Sequence, residues 1–388
     1  MRVALGVRKF CDTGGQEQFS MRLAEHLAGR GHEVTVYTFH GRARPDMQIK
    51  VIPPPRFRPR YRRDWATAEA LAAALMTADA DVTFGEQKTW GAHVVRPGGG
   101  VEAGYWKYKS QRKWGAAAKW IAPLCPKRHY DLSAERRSLL NPQTRAIIAN
   151  ANLVKQSLCQ HYPTITPKVH VVHNGVRIRP VNATEQQQMR DSFRAAHKIS
   201  PNARVALFIG HDFHRKGLAA AIEALARSNQ DSIGCNWHLL IAGRGNPLRY
   251  KRQARRANMQ DNVHFSGCQN NCAALYAASD LLLLPTHYDP FANVTVEALG
   301  AGIPVITTAR NGGSEIIKEG CNGWVVPDPT CTQQIARHMT TASHPNILQS
   351  LKEQASITAG CNRMEDRLSE VEAILTQVAL ELRQTATP

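Results

Sequence analysis

Short apolar runs alternate with longer stretches of helical periodicity in the first part of the chain. Runs suited to β-strands occupy residues 2–7, 33–39, 48–52, 82–84 and 146–149, and helical patterns occupy 15–30 and 67–76. A strand followed by a helix and then by another strand is typical of βαβ units, which build parallel sheets. The pattern therefore predicts an α/β domain.

The same alternation begins again after residues 169–176. Its strand-like runs cover 204–210, 238–242, 263–265, 281–285 and 303–308, with helical patterns between them. We therefore expect two doubly wound, Rossmann-like domains at 1–175 and 176–360, and an amphipathic helix at about 361–384 that packs back on the first. Ligands of open α/β sheets bind beyond the carboxyl ends of the strands, so two such domains facing each other predict an active site in the cleft.

Composition narrows the classes of partner. The 388 residues include 49 Lys and Arg against 31 Asp and Glu, a formal charge of +18 that favours nucleic acid, an acidic membrane or a polyphosphate ligand. The nine cysteines contain no CxxC pair, which argues against a disulfide framework and a structural zinc site. No run of 18 apolar residues occurs, so we expect neither a spanning helix nor a cleaved signal peptide.

A basic loop follows the first strand of the second domain. It begins at Gly210, contains Arg215 and Lys216, and leads into a helix. Backbone N–H groups at a helix start and two cations directed at one place suit a diphosphate. An exposed basic turn is the alternative interpretation.

Two carboxylates lie eight residues apart after the strand at 281–285. Asp289 is expected in the loop and Glu297 on the helix that follows, where both can accept hydrogen bonds from hydroxyl groups. A general acid and base flanking a glycosidic bond fits less well, because both carboxylates come from one segment of one domain.

Together these motifs resemble the GT-B glycosyltransferases of family 4. The family's Gly-Gly loop, Arg/Lys pair and Glu-x7-Glu element have counterparts here in Gly14-Gly15, Arg215-Lys216 and Asp289-x7-Glu297. The resemblance runs from about residue 2 to residue 328 and includes the segments at 174–176, 242–245, 263–267, 277–280 and 311–313. The sequence departs from the family at Asp289, where Glu is commoner, and at Ala292, where Gly is usual.

The resemblance implies a role for each matched residue. Arg215 and Lys216 would neutralise the donor diphosphate, Asp289 would contact the donor sugar, and Glu297 would contact the ribose. The other positions expected to bind substrate are Gly14, Gly15, Gly210, Arg244 and the segment Phe291, Ala292 and Asn293. The family retains the anomeric configuration, by attack from the face that the leaving phosphate occupies.

We expect no cofactor and no catalytic metal. Asp79 and Asp81 match the metal-binding DxD of a different glycosyltransferase fold, but they precede a strand and would lie at the wrong end of the sheet. In the first domain, His93 and Glu102 are candidates to orient the acceptor, near a run of three glycines at 98–100. A structural role for His93 is the alternative.

Residues 103–130 combine seven Lys and Arg with three Trp and no acid. Trp106, Lys113, Trp114 and Trp120 suit a helix in an anionic membrane interface, with a second basic strip at 56–63 adding attraction. Alternatively, the tryptophans pack into the first domain, or the segment binds RNA.

Within family 4, the sequence most resembles the lipopolysaccharide core glucosyltransferase I group. That resemblance implies a UDP-hexose donor, a lipid-linked saccharide acceptor, and a cytoplasmic enzyme held peripherally at the inner membrane. Two other classes stay open: a non-catalytic protein that binds a sugar nucleotide or lipopolysaccharide, and a basic nucleic-acid-binding protein. The sequence contains no recognisable nucleic-acid module, and we expect no nucleic-acid partner.

Overall fold

The fold was obtained as a computed structural model, which describes residues 1–11, 14–55, 60–86, 88–177, 182–231, 236–269 and 272–386. The chain forms two compact units. The first contains Met1–His173 together with the C-terminal segment from Glu365, and the second contains Asn174–Met364. Each unit has its own parallel sheet, so the predicted α/β class is confirmed.

The first unit contains a seven-stranded sheet with every strand parallel. Its strand order is β3-β2-β1-β4-β5-β6-β7. The strands are β1 (Arg2–Gly6), β2 (Glu33–Thr38), β3 (Gln48–Val51), β4 (Val82–Glu86), β5 (Val94–Arg96), β6 (Ala146–Ala149) and β7 (Val169–Val171). The helices are α1 (Gly15–Gly29), α2 (Arg60–Met76), α3 (Glu102–Trp114), α4 (Ala118–Ile121), α5 (Pro126–Leu139) and α6 (Asn152–His161).

Apolar periodicity explains how this sheet is covered. The central strands are apolar on both faces, as expected where helices cover both sides of a parallel sheet. In register, Leu5 on β1 pairs with Val36 on β2 and Phe84 on β4, and all three are buried. Helix α1 places Leu23 and Leu27 one turn apart on its buried face.

The second unit has a six-stranded parallel sheet in the order β10-β9-β8-β11-β12-β13. Its strands are β8 (Arg204–Ile209), β9 (Trp237–Ala242), β10 (Val263–Gly267), β11 (Leu281–Leu284), β12 (Val305–Thr308) and β13 (Gly323–Val326). The helices of this unit are α7 (Ala183–Ala196), α8 (Leu218–Asp231), α9 (Leu248–Arg256), α10 (Ala273–Ala277), α11 (Asn293–Gly300), α12 (Thr332–Ser343) and α13 (Pro345–Gly360).

A buried carboxylate ties helices to the second sheet. Asp280, just before β11, contacts Arg190 and Arg194 of α7 at 2.9 Å each and Lys352 of α13 at 3.0 Å. Burial raises the pKa of Asp280, but the three cations outweigh that effect and hold it below its usual value. The three cations therefore offset the free-energy cost of burying the Asp280 carboxylate.

The last helix, α14 (Met364–Ala386), belongs to the first unit. Glu372 on α14 contacts His26 Nε2 at 2.9 Å and His32 Nε2 at 2.8 Å. Val371 and Leu375, one turn apart, are buried on the same helix. Among the described residues, no helix is both long and apolar enough to cross a membrane.

Candidate active site

The Arg-Lys loop begins where β8 ends and leads into α8. Gly217 closes this loop with φ +82°, a left-handed conformation that favours glycine. A Cβ at Gly217 would lie 1.7 Å from the carbonyl oxygen of Pro285, so the loop packs directly against the chain leaving β11. The Arg215 carbonyl oxygen then accepts hydrogen bonds from His287 N at 2.8 Å and Thr286 Oγ1 at 2.9 Å.

This packing brings the three predicted catalytic side chains into direct contact. The Oδ2 atom of Asp289 lies 2.7 Å from the guanidinium Nη1 of Arg215 and 2.7 Å from Nζ of Lys216. Arg215 Nη1 also donates to the Tyr288 carbonyl oxygen at 2.9 Å. The three groups form a cluster that we call the cation pair with its counterion.

Two of the charges of this cluster are buried, and burial strengthens the electrostatic interactions between them. Asp289 is only 6% exposed, and Lys216 is also buried. Burial raises the Asp289 pKa, but Lys216 and Arg215 outweigh it and lower the pKa below its usual value. The carboxylate is therefore ionised at neutral pH, and two cations against one anion leave a net positive charge that attracts an anionic group.

The loop that carries Asp289 is held by a buried amide. Asn311 Oδ1 accepts from the backbone N–H groups of Ala292 and Gly313, at 3.0 Å each, and its Nδ2 donates to Thr295 and Thr307 hydroxyls at 3.1 Å. The Asn-Gly-Gly segment at 311–313 belongs to the family resemblance, but the sequence did not indicate this function of Asn311. A polar residue in the short loop after the buried strand β12 was the signal that could have identified it.

Glu297 lies on α11 in the same unit. The Tyr276 hydroxyl donates to Glu297 Oε2 at 2.8 Å. Burial raises the pKa of Glu297 above its usual value, while the Tyr276 hydrogen bond and the charge of Lys216 partly offset the rise. The structure thus places Glu297 within electrostatic reach of Lys216.

Of the remaining predicted residues of this unit, Gly210 packs directly against the cluster. A Cβ at Gly210 would lie 2.9 Å from Lys216 Cγ, so this glycine makes room for the lysine. Phe291 and Ala292 are buried, and Asn293 Oδ1 accepts from Asn174 Nδ2 at 2.6 Å. Arg244 is exposed in the loop after β9, with its backbone N–H donating to His211 Nδ1 at 3.2 Å.

In the first unit, the predicted glycines lie at the start of α1. Gly14 precedes the helix with φ +100°, and a Cβ there would lie 2.4 Å from Glu17 Oε2. Gly15 is the first helical residue. The helix start therefore follows the carboxyl end of β1, as the sequence predicts.

A second polar cluster occupies the carboxyl ends of the neighbouring strands, and the sequence analysis missed it. Glu86 ends β4 and pairs in register with Arg96, which ends β5, and both are buried. Ser20 donates a hydrogen bond to Glu86. Burial raises the Glu86 pKa to about 7 and lowers the Arg96 pKa to about 10.

The glycine run rests on this second cluster. A Cβ at Gly98 would lie 2.7 Å from Arg96 Nη1, and Asn150 Nδ2 donates to the Gly98 carbonyl oxygen at 3.0 Å. Among the residues that the structure describes, none forms a hydrogen bond with the Oδ1 atom of the buried Asn150. Charged residues at the ends of otherwise apolar strands were the signal for this cluster.

His93 lies at the opposite edge of the sheet from this second cluster. His93 precedes β5, at the amino ends of the strands, where its Nδ1 accepts from Thr83 N at 3.2 Å and its own N–H donates to Thr83 Oγ1 at 2.9 Å. These bonds tie two strands together, which is a structural role.

Glu102, at the start of α3, forms an ion pair with Lys88 at 2.7 Å. Asp81 immediately precedes β4 and accepts from Arg2 N at 2.7 Å, at the same amino-end edge.

The prediction of one membrane helix at 103–130 is also corrected. The segment is broken into α3, a short 3-10 helix (Gly115–Ala117), α4, a second 3-10 helix (Ala122–Leu124) and the start of α5. Trp106 is 3% exposed and its Nε1 donates to Asp131 at 3.0 Å, so it is an interior residue. Trp120 is 73% exposed and Lys113 is also exposed. The side chain of Trp114 and residues 56–59 of the second basic strip lie outside the described part of the chain.

Known proteins match this chain over most of its length. The model for "Glycosyltransferase Family 4" matches residues 13–179, and the model for "Glycosyl transferases group 1" matches residues 189–357. The lipopolysaccharide glucosyltransferase WaaG of Escherichia coli strain K12 is 26% identical over 336 residues, covering 86% of this chain and 87% of that protein.

Solved structures show the same fold. The crystal structure of WaaG matches with a TM-score of 0.78 at 24% identity, covering 96% of this chain and 99% of that chain. Anabaena Alr3699/HepE in complex with UDP-glucose matches with a TM-score of 0.67 at 17% identity, covering 97% and 100%. The matches confirm the family resemblance, and the chain belongs to the GT-B glycosyltransferases, with a Glycosyltransferase Family 4 domain followed by a Glycosyl transferases group 1 domain.

Proposed function

We propose that this glycosyltransferase moves a hexose, glucose in the first instance, from a UDP-sugar to a saccharide acceptor, with retention of configuration. The observation that supports this most strongly is the cation pair with its counterion, Arg215 and Lys216 on Asp289. The names of two similar proteins point the same way: WaaG is a lipopolysaccharide glucosyltransferase, and HepE was crystallised with UDP-glucose.

Charge explains the proposed use of the two cations. A donor diphosphate gains negative charge on its leaving oxygen as the bond to the sugar breaks, and preorganised cations stabilise that charge most in the transition state. Lys216 and Arg215 supply two positive charges, so we propose that neither a cofactor nor a catalytic metal is needed. Asp289 and Glu297 would accept hydrogen bonds from the sugar and the ribose, as the family resemblance implies.

In the proposed reaction, the bond between the sugar C1 and the diphosphate oxygen breaks. The acceptor oxygen forms its bond to C1 on the same face, and the acceptor proton passes to the leaving diphosphate. The backbone of Phe291, Ala292 and Asn293 would line the donor, and Gly14 and Gly15 are proposed to bind substrate, as the family resemblance implies. Gly210 and Arg244, in the loops after β8 and β9, would also bind the donor.

The acceptor is proposed to be lipid-linked, like the lipopolysaccharide that the name of WaaG specifies. Trp120 and Lys113 are exposed in the basic segment, where no acidic residue occurs between 103 and 130. An exposed tryptophan among lysines suits an anionic lipid surface. We therefore propose a peripheral enzyme on the cytoplasmic face of the inner membrane.

Thermal unfolding with a panel of nucleotides at equal concentration tests the donor proposal, because a ligand of the native state raises the midpoint. UDP and UDP-glucose are expected to raise it, and GDP-mannose less. Lys216→Ala should lose most of this rise, measured against its own unliganded midpoint, whereas the exposed Lys318→Ala should keep it.

An assay of sugar transfer distinguishes an active enzyme from a non-catalytic binding protein. Stabilisation by UDP-glucose without transfer to any saccharide acceptor would favour a non-catalytic binding protein. No stabilisation by any UDP compound would contradict the donor assignment.

A further inference from the structure

A cavity of about 710 Å³ opens on the first unit. It lies between the beginnings of α2 and α5, and its volume is within the range of small-molecule sites. Its walls are mainly apolar and aromatic and include Tyr61, Trp65, Pro123, Leu124, Pro126 and Tyr130. Nothing in the proposed transfer reaction uses these side chains.

The inner wall of the cavity is part of the core. The Trp65 ring lies 5.1 Å from the ring of Trp90 and 5.9 Å from that of Tyr130, measured between centroids. Both partners belong to a buried cluster with Ala68, Ala72 and Ala134. Packing of this kind fixes aromatic side chains, so the inner wall is preformed.

The outer wall is apolar and exposed. Leu124 lines the cavity and is 78% exposed, and Trp120 and Ile121 are exposed in α4 just before it. Large apolar side chains that are exposed together on a soluble surface mark a place where an apolar partner is bound. Contact of this wall with water is therefore less favourable than its contact with an apolar partner.

Charge at the rim selects the kind of apolar partner. Arg62 lines the cavity and is exposed, and none of the described lining residues is acidic. The neighbouring segment 103–130 adds seven basic residues and no acid. An amphiphile with an anionic headgroup complements this surface, because its charge would lie at Arg62 while its chain fills the apolar space.

We propose that this cavity binds one acyl chain of an anionic membrane lipid, with the lipid phosphate at Arg62. Such binding differs from adsorption to a lipid surface, because a chain enclosed by protein is held without any bilayer. It does not depend on the transfer reaction, so the two proposals can fail separately.

Calorimetric titration of the full chain with dodecyl phosphate, below its critical micelle concentration, tests this binding. Saturable binding at one site per chain is expected. Dodecyltrimethylammonium, with the same chain and the opposite charge, should bind at least threefold more weakly, and inorganic phosphate should neither bind detectably nor compete. Absence of saturable binding, or equal competition by inorganic phosphate, would overturn the proposal.

Matched variants locate the site. Leu124→Ser should raise the dissociation constant at least threefold, whereas Leu380→Ser, which replaces a leucine that is 53% exposed on α14, should not change it. Ser133→Trp should block the cavity from its exposed position on α5. If Leu124→Ser and Ser133→Trp both bind dodecyl phosphate like the unchanged chain, the cavity is not the site.

The headgroup contact has its own pair of variants. Arg62→Gln should weaken dodecyl phosphate but not dodecyltrimethylammonium, while Arg63→Gln, at the neighbouring exposed arginine, should leave both unchanged. Vesicles of phosphatidylglycerol should compete with dodecyl phosphate more strongly than vesicles of phosphatidylcholine. Equal competition by the two would contradict an anionic lipid as the source. The thermal shift with UDP should be the same in all these variants, which separates them from failures of the donor site.

Discussion

At the scale of single residues, Asp289 combines two functions: it pairs with two cations in the unliganded chain, and we propose that it contacts the donor sugar. Its carboxylate is engaged by Arg215 and Lys216, the same cations that we propose hold the diphosphate. A bound diphosphate would have to share or replace this counterion, so we expect Asp289 to modulate how strongly the cations attract an anion. The shorter Asp, where the family commonly has Glu, limits how far this carboxylate can reach toward a sugar.

Asp289→Asn tests the counterion function. Removing one partner of a buried ion pair costs about 3–5 kcal/mol, so the unliganded variant should unfold at a lower temperature. Because the amide no longer competes for the cations, UDP should raise its midpoint by at least as much as in the unchanged chain, while transfer should fall.

Thermal unfolding with and without UDP measures both effects. Asp328→Asn is the control, since Asp328 is a more exposed carboxylate that contacts Arg310 at 3.5 Å in the same unit. A smaller rise with UDP in Asp289→Asn than in this control would contradict the counterion function.

Glu86 predicts a pH dependence of stability. Its folded pKa of about 7 is above the 4.5 of an exposed glutamate, because the carboxyl is buried. The folded chain therefore binds a proton that the unfolded chain releases between these values, and stability from this group is present below about pH 4.5 and lost as the pH rises through about 7.

Glu86→Gln should remove that loss. Relative to the unchanged chain, the free energy of unfolding of the variant should increase between pH 5 and pH 8 by up to about 3 kcal/mol. Denaturant unfolding at several pH values measures the difference, with the exposed Glu69→Gln as control. A constant difference across this range would show that Glu86 does not titrate there.

At the scale of elements, the donor loop depends on close backbone contact. The connection from β8 to α8 can approach the chain after β11 only because Gly217 has no side chain. This contact places Lys216 beside Asp289, although the two residues are far apart in the sequence. A single glycine therefore links the packing of two βα units to the geometry of the cation pair.

Gly217→Ala should disrupt both stability and donor binding. The alanine would combine a left-handed φ with a clash against the Pro285 carbonyl, and we expect a loss of more than about 3 kcal/mol together with most of the UDP-dependent thermal shift. Gly320→Ala is the matched control, because Gly320 has φ +70° and open space where its Cβ would lie.

The control should lose only about 1–2 kcal/mol, the cost of the left-handed conformation itself. Equal losses in the two variants would mean that the contact with Pro285 does not matter.

The segment from α3 to α5 shows how one periodicity fits two structures. Trp106 and Trp120 occur at positions that suit one face of a continuous helix, but breaks at Gly115–Ala117 and Ala122–Leu124 redirect the chain between them. Trp106 then reaches Asp131 in the interior and Trp120 remains exposed. Helical spacing alone does not reveal these breaks, which fall at Gly115, with φ +53°, and at Pro123.

At the scale of the whole molecule, the charge of +18 favours polyanions in general, and local geometry selects among them. We expect UDP binding to weaken as sodium chloride rises from 50 to 500 mM, because salt screens the cations. The same thermal shift should persist with EDTA, since the proposed neutralisation of the diphosphate uses Arg215 and Lys216. A shift that disappears with EDTA and returns with added Mg²⁺ would overturn the proposed metal independence.

The sequence by itself determined the α/β class, the two sheets and the family, because hydrophobic periodicity and short motifs are local properties. It also indicated Arg215, Lys216 and Asp289 as candidate site residues, because their loops follow strands. Only the tertiary structure decided that these three side chains share one contact. The reason is that the contact requires the loops of two βα units to meet.

The same reason explains what the sequence could not decide. His93 and Glu86 both adjoin strands of the first unit, but the register and direction of the sheet place them at opposite edges. Whether a tryptophan is buried or exposed depends on which helices cover it, as Trp106 and Trp120 show. Chain order determines the elements, and burial and charge compensation between distant elements decide where each side chain acts.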